Sequence, residues 1–219
     1  MKKLFLSVAI VSLSLTATHA QIPVKTIMVG GRINYFQNNS HTEEQISSPK
    51  TTTSSRSFGI YPQGGVFIRE NILLGISTGF NASKSTINYP DGKSEIRFKS
   101  FSTGPFARYY KFIADPVALT LTTGVNYTRE WQENESTGIN NSNRGNSFST
   151  HITPGIVYFP SPKVGIEASI GGAYYTHSSL EEHYYNTNTE VRRKSKSNSL
   201  GLNLGLSQLQ IGISCYLGR

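Results

Sequence analysis

An all-β fold is predicted: a transmembrane, antiparallel up-and-down β-barrel of eight strands behind a cleaved signal peptide. Three observations predict it. A charged and then apolar leader opens the chain, side-chain character alternates with a period of two along most of the remaining residues, and the connections between the alternating segments are short and long in turn.

The leader is residues 1–20, in which Lys2 and Lys3 precede an apolar run over 4–15 that leads to Thr18-His19-Ala20. This is the plan of a secretory signal peptide with small residues at the cleavage positions. The run is too short to span a bilayer as a helix, and no later stretch approaches the roughly 20 consecutive apolar residues that a helical span needs. Any membrane role therefore falls to strands. Residues 21–219 are read as one barrel domain, of a length that suits a single all-β unit. Composition agrees, since 37% hydrophobic residues, 11% aromatics and 20 Gly among many Ser, Thr and Asn describe strands that are apolar on one face only. Cys215 is the one cysteine, so no intramolecular disulfide forms, and it lies too late to be the lipid-modified first residue of a lipoprotein. The formal charge of +8 would suit nucleic acid. Secretion argues against that partner and leaves outer-leaflet phosphates, or simply solvated loops.

Alternation is plainest where Val117, Leu119, Leu121, Thr123, Val125 and Tyr127 interleave with Ala118, Thr120, Thr122, Gly124, Asn126 and Thr128. It recurs in Ile27, Val29, Gly31, Ile33 and Tyr35, in Ile72, Leu74, Ile76, Thr78 and Phe80, in Val164, Ile166, Ala168 and Ile170, and in Leu209, Ile211, Ile213, Cys215 and Leu217. Segments 58–68, 96–111 and 148–159 run back between these, which makes eight. The connections 69–71, 113–116 and 160–163 are short, whereas 40–55, 82–94, 134–145 and 178–198 are long, polar and expected as loops. Outer-membrane barrels share this plan, with turns in the periplasm and loops outside. Pro62, Pro105 and Pro154 fall on one face of the returning segments, and because proline removes a ladder donor a bulge or gap is expected near each. In the last segment the apolar face switches from Leu202, Leu204 and Leu206 to the odd-numbered residues near Ser207-Gln208. A β-bulge is expected there; a hairpin would make nine strands instead.

With eight strands the lumen is only wide enough for side chains. Parity puts Gly30, Arg32, Gly75, Ser77, Gly79, Arg108, Thr120, Thr122, Glu167, Ser169, Gly171 and Ser214 inside it. Arg32, Arg108 and Glu167 then face inward from different strands, where a charge must be paired or hydrated. A lumenal salt-bridge plug is expected, the alternative being charges at different heights that meet only water. Tyr35, Phe58, Phe80, Tyr127, Trp131 and Tyr174 toward the loops, with Phe67, Tyr109, Tyr110, Tyr158 and Phe159 toward the turns, are expected as aromatic belts at headgroup level.

The leader, the eight segments, the stretch Gly104-Pro105-Phe106-Ala107-Arg108-Tyr109-Tyr110 and the closing Leu200-Gly201-Leu202-Asn203-Leu204-Gly205-Leu206-Ser207 with Ile211-Gly212-Ile213-Ser214 resemble a family. It is that of the small outer-membrane β-barrel proteins common in Bacteroidetes, whose broader relatives are the eight-stranded barrels of the outer-membrane protein A and X type. The resemblance spans the mature chain and is architectural. It implies a fold, a place in the cell outer membrane, and outer-membrane lipid and barrel-assembly machinery as partners, but no chemistry. Two departures stand out. Barrels of this kind end on an aromatic residue, whereas Leu217-Gly218-Arg219 follow Tyr216, and no peptidoglycan-binding domain follows, which argues against a cell-wall anchoring role.

His151, Thr153 and Glu167 share the inward parity and resemble the His-hydroxyl-Glu set of lipid A deacylases, also eight-stranded barrels. Here the nucleophile would be a threonine inside a plugged lumen that faces away from lipid. His177, Glu181, Glu182 and His183 carry metal-capable groups, but their spacing on a loop fixes no geometry. No catalytic, cofactor or metal residue is therefore assigned. Arg192, Arg193, Lys194 and Lys196, the densest basic run, are candidates for contact with lipopolysaccharide phosphates, against a merely solvated loop. The function expected is non-enzymatic: a filled barrel with a structural or surface-interaction role through its extracellular loops. A small-solute or ion pore is the alternative, with a lipid-modifying enzyme behind it.

Overall fold

The computed structural model describes residues 21–42, 51–89, 92–136, 139–186, 189–205 and 208–219; the leader over 1–20 lies outside them. The strands are β1 (Ile27–Thr42), β2 (Thr51–Arg69), β3 (Ile72–Tyr89), β4 (Gly92–Ala114), β5 (Val117–Ser136), β6 (Ile139–Ser161), β7 (Val164–Ile170), β8 (Gly172–Asn186), β9 (Thr189–Asn203) and β10 (Leu209–Leu217). Pairing runs antiparallel through β1, β2, β3, β4, β5, β6, β7 and β10 and returns to β1, so the sheet closes on eight staves. The seventh stave breaks at Gly171 and the eighth between Asn203 and Leu209, and their outer halves, β8 and β9, pair with each other. β8 continues along β6, whereas β9 pairs with β8 alone.

Side-chain parity follows the expected pattern. Leu121, Val125, Ile76 and Ile213 face outward and are half exposed or more, while Ala118, Phe106, Arg108 and Ser214 on the other parity are buried. Antiparallel partners lie on the same side of the sheet, so one register carries this division around the ring. Gly104 shows how tightly the staves approach, because a β-carbon there would collide with the Val125 carbonyl. The three prolines do interrupt the ladder. Pairing skips from Ile60↔Phe80 to Gln63↔Ser77 beside Pro62 and from Thr103↔Tyr127 to Phe106↔Gly124 beside Pro105, with the register kept. At Pro154 the β6 partner changes from β8 to β7.

Where they are described, the long polar connections are paired strand and not loop; 43–50, 90–91, 137–138 and 187–188 lie outside the described residues. β3 and β4 stay paired out to Tyr89↔Gly92, β5 and β6 to Ser136↔Ile139, β8 and β9 to Asn186↔Thr189, and β1 and β2 to Thr42↔Thr51. Ser, Thr and Asn suit this extension because they bond across strands, as in Ser55 to Ser85 at 3.0 Å and Ser178 to Ser197 at 2.8 Å. A transmembrane strand needs about 9–11 residues, so strands of 15 to 23 residues such as β9 and β4 carry hairpins well beyond the hydrocarbon.

The other correction concerns the belt at the turn end. Tyr109 and Tyr158 face outward, but Phe67, Tyr110 and Phe159 point into the lumen and are buried. They pack with Met28, Leu73, Val157 and Tyr216 as an apolar stopper, with Phe67 and Tyr110 ring centroids 5.3 Å apart. Ile22, ahead of β1, completes it; its backbone N–H donates to Asn71 Oδ1 at 2.9 Å, and the Lys25 N–H donates to the Phe67 carbonyl at 2.8 Å. Toward the other end Tyr174 also faces inward, opposite His151.

Candidate functional site

Directly above the stopper the lumen is crossed by a charged layer. Arg108 on β4 donates through Nη1 to both carboxylate oxygens of Glu167 on β7, at 3.0 and 2.9 Å. Its Nε donates to Thr122 Oγ1 at 2.9 Å and its Nη2 to Gln63 Oε1 at 3.2 Å. Glu167 also accepts from Ser214 Oγ and, at 3.3 Å, from Gln63 Nε2. Five staves are thereby tied together. Only 8% of the Arg108 side chain and 15% of that of Glu167 are exposed, so desolvation would be costly without this pairing. Below, the Tyr110 and Tyr216 hydroxyls lie 3.2 Å apart and link the layer to the stopper.

Of the three charges expected to converge, the structure brings Arg108 and Glu167 into contact. Arg32 stands further from the turn end, opposite Tyr61 in the β1–β2 register, with its guanidinium 4.6 Å from the Tyr61 ring centroid. Its Nε is buried without a hydrogen-bond partner, and among the described residues no ion pair joins it to Glu167. Parity places a side chain inside or outside but not at a height, and Arg32 is two residues beyond the position that would meet the pair. Around it is a cavity of about 330 Å³, lined also by Tyr61, Ser77, Asn126, His151 and Gln210. His151 and Thr153 both line it, yet His151 Nδ1 lies 3.4 Å from Asn126 Nδ2, and no hydrogen bond connects His151 with Thr153 or Glu167. A proton relay through these three residues is not assembled.

The basic run lies on β9, in a ladder and not in a loop. Arg192, Arg193, Lys194 and Lys196 are exposed, and the register sets Arg193 opposite Glu182 and Lys194 opposite Glu181. Lys194 Nζ donates to Glu181 Oε1 at 2.8 Å. His177 Nδ1 is 2.7 Å from Asn198 Oδ1. Of the metal-capable set, the His183 side chain lies outside the described residues.

A second charged cluster, which sequence reasoning misses, lies outside the lumen. On the β3–β4 projection the Glu95 carboxylate, 7% exposed, meets Lys84 Nζ at 2.8 Å, Lys93 Nζ at 3.2 Å and Arg97 Nε at 2.6 Å. The Lys84 hydrogen bond, reinforced by those of Lys93 and Arg97, holds its carboxyl down at about 2. The signal in the sequence is the same-face spacing of Lys93, Glu95 and Arg97, with Lys84 opposite Arg97 across the ladder.

No protein-family model matches the chain, and no curated protein does. Among solved structures, the Neisserial surface protein A covers 89% of this chain and 97% of its own, at 14% identity and a TM-score of 0.37. The transport unit of the autotransporter AIDA-I from Escherichia coli covers 93% and 81%, at 10% identity and 0.36. The ferric yersiniabactin uptake receptor FyuA from Yersinia pestis matches over 83% of this chain and 44% of its own, at 8% identity and 0.38. The chain's own surface is what places it: a closed antiparallel barrel girdled by outward Ile, Leu, Val and aromatic side chains is the form in which strands cross an outer membrane.

Proposed function

We propose that the chain is a non-enzymatic outer-membrane barrel with a sealed lumen, whose strand-built hairpins reach outside the cell in a structural or surface-interaction role. On this reading it is a small barrel of the kind its sequence resembles in Bacteroidetes. The observation that carries the proposal is the double seal, in which the stopper around Phe67, Tyr110 and Tyr216 lies under the Arg108–Glu167 layer. A hydrated solute would have to displace buried rings and then separate a buried ion pair. Planar-bilayer recording tests this directly: silence is expected, and large, stable conductance steps would overturn the seal in favour of a pore.

The basic run supports a contact with lipopolysaccharide phosphates, because Arg192, Arg193, Lys194 and Lys196 are exposed on a projecting strand. Glu181 and Glu182 opposite them weaken that field. Outer-membrane lipid is the partner of the apolar girdle.

A further inference from the structure

Arg32 occupies the place where the ring divides. β1 pairs with β10 only from Ile27↔Leu217 to Gly31↔Ile213, and from Arg32 outward it pairs with β2 alone. On the other side β9 pairs only with β8, so among the described residues no ladder joins β1 to β9. Exposure reports the same opening. On β5 exposed side chains alternate with more buried ones, whereas every side chain over 33–40 and over 192–200 is exposed, on both faces of the sheet. The edges of the cleft are apolar: Ile33 at 67% and Tyr35 at 68% exposed on β1, Ile211 at 63% and Leu209 at 49% on β10, and further out Leu202 at 69% and Leu200 at 83% on β9, with Phe36 on the inner face of β1. Its base is the inward guanidinium of Arg32, and behind that lies the lumenal cavity.

Two properties select an occupant. The cavity holds two arginines against one glutamate whose carboxylate is already taken by Arg108, Gln63 and Ser214, so Arg32 is left uncompensated. An arginine with an open Nε suits an oxyanion, which it can bind through two parallel hydrogen bonds. The cleft beside it exposes apolar side chains, which a hydrocarbon chain covers and bulk water does not.

We propose that the cleft admits a single-chain anionic amphiphile from the outer leaflet, with its oxyanion headgroup on Arg32 inside the cavity and its chain along Leu200, Leu202 and Ile33. A volume of about 330 Å³ holds a phosphate monoester or carboxylate with the first carbons of a chain. The inference rests on the transmembrane reading, and its test separates the two.

The full chain is purified in a neutral maltoside detergent and examined by native mass spectrometry with dodecyl phosphate, dodecylphosphocholine or inorganic phosphate. A one-to-one adduct is expected with dodecyl phosphate and not with the zwitterion. Arg32→Gln should weaken it by about tenfold or more, and Arg32→Lys should retain part of it, as expected for a charge-assisted contact. Equal retention by Arg32→Gln, equal binding of the zwitterion, or displacement by equimolar inorganic phosphate would each overturn the proposal, the last by making this a site for soluble anions. Heat-modifiable gel mobility is read on the same samples. If the wild type shows none, the barrel reading fails; if it shows the shift but no adduct, only the amphiphile site fails.

Discussion

Glu167→Gln removes the counter-charge of Arg108 while leaving the shape of the charged layer almost unchanged. With charge centres about 4 Å apart and an effective dielectric of about 20, the pair is worth about 4 kcal/mol of Coulomb energy. Part of that is retained, because the guanidinium keeps its bonds to Thr122, Gln63 and Tyr110. The net cost should then be about 2–3 kcal/mol, at or below the lower end of the 3–5 kcal/mol typical of an uncompensated buried charge. That corresponds to a roughly 30- to 150-fold shift in the unfolding equilibrium at 1.4 kcal/mol per tenfold. Replacing both partners, Arg108→Met with Glu167→Leu, removes the buried charges altogether and should be nearly neutral or stabilising. Urea unfolding of the vesicle-inserted protein, followed by the single tryptophan Trp131, gives midpoint and slope for each variant. A double-mutant cycle then isolates the coupling. An unchanged midpoint and slope for Glu167→Gln, or a double variant as unstable as the single one, would refute the account of the layer.

Three further outcomes are expected. The Glu95 carboxyl is depressed from 4.5 to about 2, so its contribution to the β3–β4 projection is present above pH 4.5 and lost as the pH falls toward 2; amide protection in 84–97, measured relative to the intrinsic exchange rate at each pH, should fall over that window, and this pH dependence should be lost in Glu95→Gln. Replacing Arg192, Arg193, Lys194 and Lys196 with Gln should weaken binding to anionic vesicles and reduce its salt dependence, whereas Glu181→Gln with Glu182→Gln should strengthen it; binding unchanged across a salt titration would reduce the run to solvated charge. Deleting residues 204–206 should bring β9 toward β1 and slow amide exchange over 33–38, and exchange as fast as in the intact chain would count against the cleft.

Most of the barrel is legible in the sequence because a closed sheet has one strict rule. A side chain is either in or out, and the run from Val117 to Thr128 declares which. That parity correctly sends Arg108, Glu167, Thr122 and Ser214 to the lumen. It also places Phe67 inside, since Pro62 and Val66 set the outward face of β2, and here strand parity overrides the general preference of aromatics for the interface. Heights are not legible. Whether Arg32 meets Glu167 depends on stagger around eight staves, and no local pattern records that. The polar connections mislead for a different reason: Ser, Thr and Asn mark loops in the absence of a partner, yet two such strands leaving the membrane in register provide each other with one.

The cleft lies between these two kinds of information. The switch of apolar parity from Leu202 to Leu209 is visible in the sequence and requires only a single bulge, in which two residues face one. In the structure Asn203 is opposite Gly172 and Leu209 is opposite Ile170, so the sequence has five residues, 204–208, against Gly171 alone; Leu206 and Ser207, where the bulge is expected, lie outside the described residues. Five against one is an excess of three over such a bulge, and it falls where two adjacent staves break at the same height. Gly171 and Gly172 accommodate it with φ of 43° and 153°, which residues with a β-carbon adopt with difficulty. Gly172 lies opposite Asn203 on the inner face, so β8 resumes with its parity reversed, pairs with β6 one residue out of step with β7, and carries β9 with it. β10 remains on β1 only as far as Gly31. The residue exposed by that parting is Arg32, which is why an inward charge with no ion-pair partner among the described residues, only the face of the Tyr61 ring, stands at the foot of an apolar opening.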